Sequence, residues 1–361
     1  MNKSVYVHIP FCTKICTYCD FPKMLYKEDF VLRYLISLEK EIKEYYNHEQ
    51  INTLYIGGGT PSSLKIGELK KLFTCLELFN ISSEAEITFE CNLTDIRDEL
   101  LQFLKANKIN RLSIGIQSFN KKNLELLGRD SDYSEAKFKI DLCRKYGFEN
   151  INVDLMYALP SESMKILKKD IKQMLKLGVE HISTYSLIIE DNTILKLNNT
   201  QYISDVVDSN MYKKIKKKLK NNSYNHYEVS NFAKKGYESQ HNTVYWNNSE
   251  YYGFGLGAAG YYEGVRYENT KSLTEYINGK YRKEENLLSK KETMDYELML
   301  GFRKMMGINL EEFQNKFDED LLKMYPIEEQ IKKKNIIKEG SNVFINPKKI
   351  YLMNEILIKL I

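Results

Sequence analysis

The sequence predicts an α/β fold: an incomplete barrel of six parallel strand–helix units followed by a small winged-helix-like domain of helices and a hairpin. Three observations carry this. Short β-prone apolar runs alternate with helical patterns six times over the first two thirds of the 361 residues, which calls for parallel strands joined by crossovers. The runs are nearly continuous in apolar residues, as strands covered on both faces require. Each run gives way to glycines or unusual polar residues, and in barrels and open α/β sheets the carboxyl ends of the strands are the ligand-binding face.

The six runs are Val5–Ile9, Thr53–Ile56, Ala85–Phe89, Arg111–Ile116, Ile151–Leu155 and His181–Leu187. Between them, Phe30–Tyr46 places Val31, Tyr34, Leu35, Leu38 and Ile42 on one helical stripe. Gly67–Leu78, Ile96–Asn107, Lys121–Leu127, Asp132–Tyr146 and Ser163–Leu177 read the same way. The first run leads into cysteines and the second into Gly57-Gly58-Gly59-Thr60-Pro61. The third ends at Glu90 and the fourth at Gln117-Ser118. The fifth carries Asp154 and stops before Tyr157-Ala158-Leu159-Pro160, and the sixth meets Ile188-Ile189-Glu190. A helix over Asp208–Leu219 follows, its lysine run Lys213–Lys218 read as a solvated face. Tyr227–Phe232 reads as one further strand. Gly253–Gly260 has GxGxG spacing without the acidic partner of a dinucleotide fingerprint, so it reads as tight backbone packing near a ligand.

The charged stretch Arg282–Ser289 marks a boundary. The expected division is a barrel over 1–230, a connecting segment over 231–289 and a C-terminal domain over 290–361. Within the last, Lys290–Lys304 is helical, Asn309 caps a helix, Ile336–Lys338 and Asn342–Ile345 pair as a hairpin, and Lys348–Leu360 is a final helix.

Composition narrows the function. Lys+Arg 53 against Asp+Glu 49 is nearly balanced, and residues 290–361 hold 13 basic and 12 acidic side chains, so nothing supports nucleic-acid binding. No apolar run reaches the roughly 18 residues of a membrane span, and Ser4–Ile9 lacks the apolar core of a signal peptide. Cys75, Cys91 and Cys143 are scattered and read as buried thiols, which points to a reducing, cytoplasmic setting.

The chemistry centres on Cys12, Cys16 and Cys19, spaced CxxxCxxC after the first run. Three thiolates held together repel one another unless metal binds them. Zinc in a structural site wants four protein ligands, and no fourth cysteine lies nearby. An iron–sulfur cluster with one iron left open is the other reading. With Tyr18 after the second cysteine, the spacing resembles the radical S-adenosylmethionine (SAM) family, in which the open iron chelates the amino and carboxyl groups of SAM.

That resemblance gives the strand-end residues roles. Tyr6 and Tyr18 flank the cysteine loop as candidates to stack on adenine. Gly58 and Gly59 admit backbone where a Cβ would clash, Thr60 adds a hydroxyl, and such a loop suits the ammonium end of SAM. Glu90 and Asp154 are acceptors, Gln117 donates and accepts, and Arg129 is a candidate for the SAM carboxylate. His241, in His241-Asn242-Thr243-Val244-Tyr245-Trp246, is a candidate axial ligand for heme iron; the alternative is a histidine hydrogen-bonded within its turn.

Together YxHIPFCxxxCxYCDF, GGGTP, the Glu90 strand, IQSF, LGR, the Asp154 strand and HNxxYW resemble, over essentially the whole chain, the family of oxygen-independent coproporphyrinogen III oxidase and its HemW-type heme-chaperone relatives. The resemblance implies a [4Fe–4S] cluster on Cys12, Cys16 and Cys19. It implies SAM at Tyr6, Tyr18, Gly58, Gly59, Thr60, Glu90, Gln117, Arg129 and Asp154, and heme at His241. Phe21 stands where the oxidase carries a further cysteine, the chain starts only eleven residues before Cys12, and HNxxYW is present. These features place the expectation on the chaperone branch, which binds heme and passes it to a heme-requiring membrane enzyme. The alternative is radical decarboxylation of coproporphyrinogen III. Ile189-Glu190-Asp191-Asn192-Thr193 departs from the family's Glu-x-Gly-Thr turn.

Overall fold

The computed structural model describes residues 3–160 and 162–361. Its main sheet is built from β1 (Lys3–Ile9), β2 (Gln50–Gly58), β3 (Asn80–Asn92), β4 (Arg111–Gln117), β5 (Asn150–Tyr157) and β6 (His181–Ser186). These six pair in chain order and all in parallel. β7 (Asn225–His226) and β8 (Asn231–Ala233) extend the β6 side antiparallel, and β9 (Tyr252–Phe254) lies parallel to β1 at the other edge. Among the described residues β9 and β7 remain the two ends of this nine-stranded sheet, so the barrel is open. Of the strand expected over 227–232, Asn231 and Phe232 belong to β8, while residues 227–230 form the turn between β7 and β8, closed by Asn231 N donating to Glu228 O at 3.3 Å.

The crossovers are α1 (Glu28–Tyr45), α2 (Ile66–Leu76), α3 (Asp98–Ala106), α4 (Lys121–Leu127), α5 (Tyr133–Lys145) and α6 (Met164–Leu177). Local chemistry sets several boundaries. Asn120, Asp132 and Ser163 each accept a backbone N–H of the first turn that follows, satisfying a donor the helix cannot. Gly128 and Gly178 take the left-handed conformation that ends α4 and α6. In α7 (Asp205–Lys220), Met211, Tyr212, Ile215 and Leu219 are buried; Lys213, Lys217 and Lys218 are exposed as expected of a solvated basic face, while Lys216 is half-buried and donates to Pro347 O at 2.9 Å.

The strands are less apolar than expected. Residues of one parity, Val5 and Val7, Leu54 and Ile56, Ile87 and Phe89, Leu112 and Ile114, Ile151 and Val153, belong to the hydrophobic core. The other parity carries Ser4, His8, Thr53, Glu86, Thr88, Arg111, Ser113, Asn152, His181 and Ser183, all buried. Side chains alternate across a strand, so the sheet has an apolar face toward the helices and a polar face toward the barrel interior. Short α8 (Gln240–Trp246) packs against β2 at the end of the interior away from the cysteines.

A second, antiparallel sheet of β10 (Ala259–Tyr262), β11 (Val265–Asn269) and β12 (Arg282–Leu287) follows. The charged stretch read as a boundary is thus largely an edge strand, whose charges blunt an open edge. Gly253–Gly260 is tightly packed as expected: a Cβ on Gly253 would lie 1.9 Å from Ala259 O. The expectation that it adjoins a ligand fails. Gly255 N donates at 2.8 Å to Glu41 of α1, and the stretch does not reach the cavity described below. Burial raises the Glu41 carboxyl to about 7.

In the C-terminal region, Ser289 and Glu292 form a capping box at the start of α9 (Lys290–Gly301). Asn309 accepts from Glu311 N and Glu312 N, both at 3.0 Å, at the start of α10 (Leu310–Phe317). β13 (Ile308–Asn309), β14 (Ile336–Glu339) and β15 (Asn342–Ile345) make a small sheet that includes the expected hairpin. The expected final helix is cut short to a 3₁₀ turn, Ile350–Leu352, and a helix, Met353–Leu357. Asn346 holds its first residues in a turn by accepting Lys348 N on its side chain and Lys349 N on its carbonyl. Among the described residues no helix is long and apolar enough to cross a membrane.

Candidate functional site

The polar face of the sheet opens at the carboxyl ends of the strands into a cavity of about 680 Å³. Its lining includes Cys12, Cys16, Cys19, Tyr18, Gly58, Gly59, Thr60, Glu90, Gln117, Arg129 and Asp154. Eleven of the thirteen residues singled out from the sequence therefore meet in one place; Tyr6 and His241 do not line it.

The cysteine loop is fastened from below. Met24 N donates to Pro10 O and Tyr26 N to Cys12 O, closing the loop at its base. The His8 ring donates from Nε2 to Pro22 O at 2.7 Å, while the Tyr6 hydroxyl donates to Nδ1 at 2.9 Å. Burial drives the His8 imidazole down to about 4, so the ring is neutral and holds this pair of bonds. Tyr6 thus props the residue that anchors the loop exit, with its hydroxyl spent there. All three cysteines are free thiols, Cys12 buried and the other two partly exposed. Burial pushes the Cys12 thiol up to about 11, and the Thr60 hydroxyl, 3.4 Å from its sulfur, opposes that. A cation bound to the sulfur would stabilise the thiolate.

Among the described residues no three His, Cys, Asp or Glu side chains stand close enough to hold a single metal ion. Cys12, Cys16 and Cys19 share one wall of the cavity, and three thiols without a fourth protein donor among the described residues are a set that fits an iron–sulfur cluster with one iron left open.

The glycine loop is built for close approach. Gly58 has φ +120°, and a Cβ there would lie 2.7 Å from the His8 ring. A Cβ on Gly59 would come within 2.8 Å of the Pro10 carbonyl carbon and 3.0 Å of Cys12 Sγ. Glu90 secures this loop by accepting from Gly58 N at 3.0 Å and from the Tyr55 hydroxyl at 2.6 Å. Burial raises its carboxyl to about 7.

Arg129 follows the left-handed Gly128 that ends α4, which turns its side chain toward the cavity. It donates to Asn92 Oδ1 at 2.7 Å and to the Tyr18 hydroxyl at 3.0 Å, leaving Nε buried without a partner. Gln117 sits at φ +73°, a strained conformation for this residue, with Oε1 buried and unpaired. Asp154 accepts from Asn152 at 2.8 Å, and burial raises its carboxyl. Both side chains line the cavity and offer hydrogen-bonding groups to it, so Gln117 and Arg129 fit a polar guest.

Sequence reasoning missed Asn92, Tyr55, Ser113, Met156 and Tyr185. Asn92, Ser113 and Met156 lie two or four residues from Glu90, Gln117 and Asp154 on their own strands, so the period-2 alternation was the available signal for them; Tyr55 and Tyr185 enter through strand register, opposite Tyr6 and Met156. His241 lies elsewhere. It is buried, its Nδ1 is 2.8 Å from Thr53 Oγ1 and its Nε2 2.8 Å from the Tyr245 hydroxyl. Burial, then the nearby Arg111 charge, lowers its imidazole to about 3. As placed it has no free nitrogen for iron, because the fold spends both on internal hydrogen bonds.

Residues 6–178 match the radical SAM superfamily. The chain is 39% identical to the heme chaperone HemW of Lactococcus lactis over 98% of its own length and 96% of that protein. It is 36% identical to the heme chaperone HemW of Bacillus subtilis over 90% and 89% of the two chains. Among solved structures, coproporphyrinogen III oxidase HemN of Escherichia coli, a radical SAM enzyme, superposes with a TM-score of 0.86 at 21% identity, over 99% of this chain and 89% of that one. The last likeness establishes a shared fold.

Proposed function

We propose that this chain, which belongs to the HemW heme-chaperone family of the radical SAM superfamily, binds heme and delivers it to a heme-requiring protein in the cytoplasm or at the membrane surface. The end-to-end likeness to heme chaperones carries this reading. Cys12, Cys16 and Cys19 would hold a [4Fe–4S] cluster, and SAM would lie across the glycine loop. Bound together, cluster and SAM supply one-electron chemistry.

The chain's own residues have separable tasks. Gly58 and Gly59 bring backbone polar groups to the SAM ammonium end, with Glu90 holding the loop in place. Arg129 meets the SAM carboxylate, Asp154 and Gln117 take its hydroxyls, and Tyr18, braced by Arg129, packs against the adenine. The resemblance assigns heme iron to His241; ligation there requires Thr53 or Tyr245 to release the ring. The proposed division remains a barrel over 1–230, a connecting segment over 231–289 and a C-terminal domain over 290–361 that covers one side of the barrel.

The test is a paired experiment on anaerobically reconstituted protein. Stoichiometric heme binding in an absorbance titration, with no decarboxylation of coproporphyrinogen III in the presence of SAM and reductant, is expected. Protoporphyrinogen formed at catalytic turnover would replace the chaperone reading with the oxidase.

A further inference from the structure

We infer that the HNxxYW helix forms the floor of the SAM cavity's supporting network, and that His241 and Tyr55 are positioning residues for Glu90 and, through it, for the glycine loop. The inference rests on the SAM reading above and assigns His241 a role in SAM binding in place of iron ligation.

The connection runs through named contacts. β3 presents Glu86 and Glu90 to the same interior face, four residues apart. Glu86 is buried and takes the start of the HNxxYW helix: it accepts from Gln240 N at 3.2 Å and His241 N at 3.0 Å. Thr53 and Tyr55, on β2, face the helix from the neighbouring strand. Thr53 fixes His241 Nδ1, the Tyr245 hydroxyl fixes Nε2, and the imidazole then lies against the Tyr55 ring, with centroids 5.2 Å apart and planes tilted by 31°. Tyr55 in turn reaches the top of the interior, where its hydroxyl donates to Glu90 Oε1 at 2.6 Å. The other oxygen of Glu90 accepts Gly58 N.

The Tyr55 ring is confined on its other side by Tyr6, at 6.0 Å between centroids. Removing the imidazole leaves a void beside a ring whose only described hydrogen bond is to Glu90. Glu90 then loses a fixed donor, and Gly58, whose N–H Glu90 accepts, loses an anchor of its φ +120° conformation. A buried, hydrogen-bonded histidine of this kind transmits position without touching the ligand.

SAM affinity is measured by equilibrium dialysis on cluster-loaded protein, and heme affinity by absorbance titration of the same samples, for wild type, Tyr55→Phe, His241→Ala and the double variant. Tyr55→Phe retains the ring and the core, so it reports on the Glu90 bond even if His241→Ala folds poorly. Each single variant is expected to bind SAM about 5- to 20-fold more weakly, with the double variant no weaker than the worse single one, since both act through Glu90. Tyr55→Phe should fold cooperatively, with a melting temperature lowered by a few degrees for the lost hydrogen bond, and keep the wild-type heme affinity. SAM binding unchanged in both single variants overturns the inference. So does additive weakening, or loss of heme binding by His241→Ala with SAM affinity intact, which would make the histidine an iron ligand. A wild type that binds SAM but no heme would end the chaperone reading and leave the SAM comparison to decide this one.

Discussion

The two ends of the barrel interior are both polar, yet they are wired differently. At the mouth, Gln117 Oε1 and Arg129 Nε are buried with no hydrogen-bond partner in the protein. At the floor, His241 uses both ring nitrogens, and His181 does the same with Asn152 at 2.6 Å and Tyr227 at 2.7 Å. Between them, Thr88 and Arg111, opposite each other on β3 and β4, each leave one buried polar atom unpaired. A polar group that is buried and paired stabilises a fold, whereas one that is buried and unpaired costs free energy until something binds it. Trp246 Nε1 on the floor helix is also buried without a partner, so the contrast lies in what the side chains do: Gln117 and Arg129 line the cavity at the mouth, while the floor histidines brace neighbouring segments with both ring nitrogens.

Substitutions at the two ends should part accordingly. The largest effect is expected from Cys16→Ser at the mouth. Reconstituted wild type should carry about four irons, and the variant should lose the cluster absorbance while its unfolding transition barely moves. Full iron and sulfide in the variant would remove this cysteine from the ligand set. At the floor, Glu86→Ala strands the first N–H groups of the HNxxYW helix in a buried place. A loss of about 3 kcal/mol in denaturant unfolding is expected. A loss below about 0.5 kcal/mol would mean that water replaces the carboxylate without cost.

Arg129→Ala should weaken SAM binding by about 10- to 100-fold, in line with the roughly 1.5–3 kcal/mol of a charged hydrogen bond, and leave stability nearly unchanged. If it destabilises the fold as much as Glu86→Ala does, the mouth is structural too and the contrast between the ends collapses. The smallest effect is expected in pH dependence. His241 is neutral in the fold, its imidazole lowered by burial to about 3. The unfolded chain binds a proton at about 6.5 that the folded one refuses, so this group's contribution is present above that pH and declines as pH falls toward 3. Between pH 6.5 and 5 the wild type should lose roughly 2 kcal/mol more than His241→Asn. Parallel stability curves for the two would show that the ring is protonated in the folded protein.

Much of the site was readable in the sequence, because its residues sit where a strand or a short motif ends. CxxxCxxC, Gly57-Gly58-Gly59-Thr60, Glu90, Gln117 and Asp154 fall at or near the ends of five successive strands, and parallel pairing brings such ends together without any knowledge of packing; Arg129 follows the short motif that ends α4. The six strands and the five crossovers that join them were readable for the same reason, since each unit is local in the chain. Tertiary structure decided the rest. Tyr245, four residues on in HNxxYW, takes one ring nitrogen of His241, the local hydrogen bond named as the alternative, but Thr53 takes the other from 188 positions away, which nothing in the motif shows. Tyr6, beside the cysteine loop in sequence, turns under it to hold His8. β9 joins β1 from the far side of the chain, and the charged run Arg282–Leu287 became an edge strand only because β11 was there to pair with it. A motif records which atoms are available; burial and partners that arrive from distant segments determine which of them remain free.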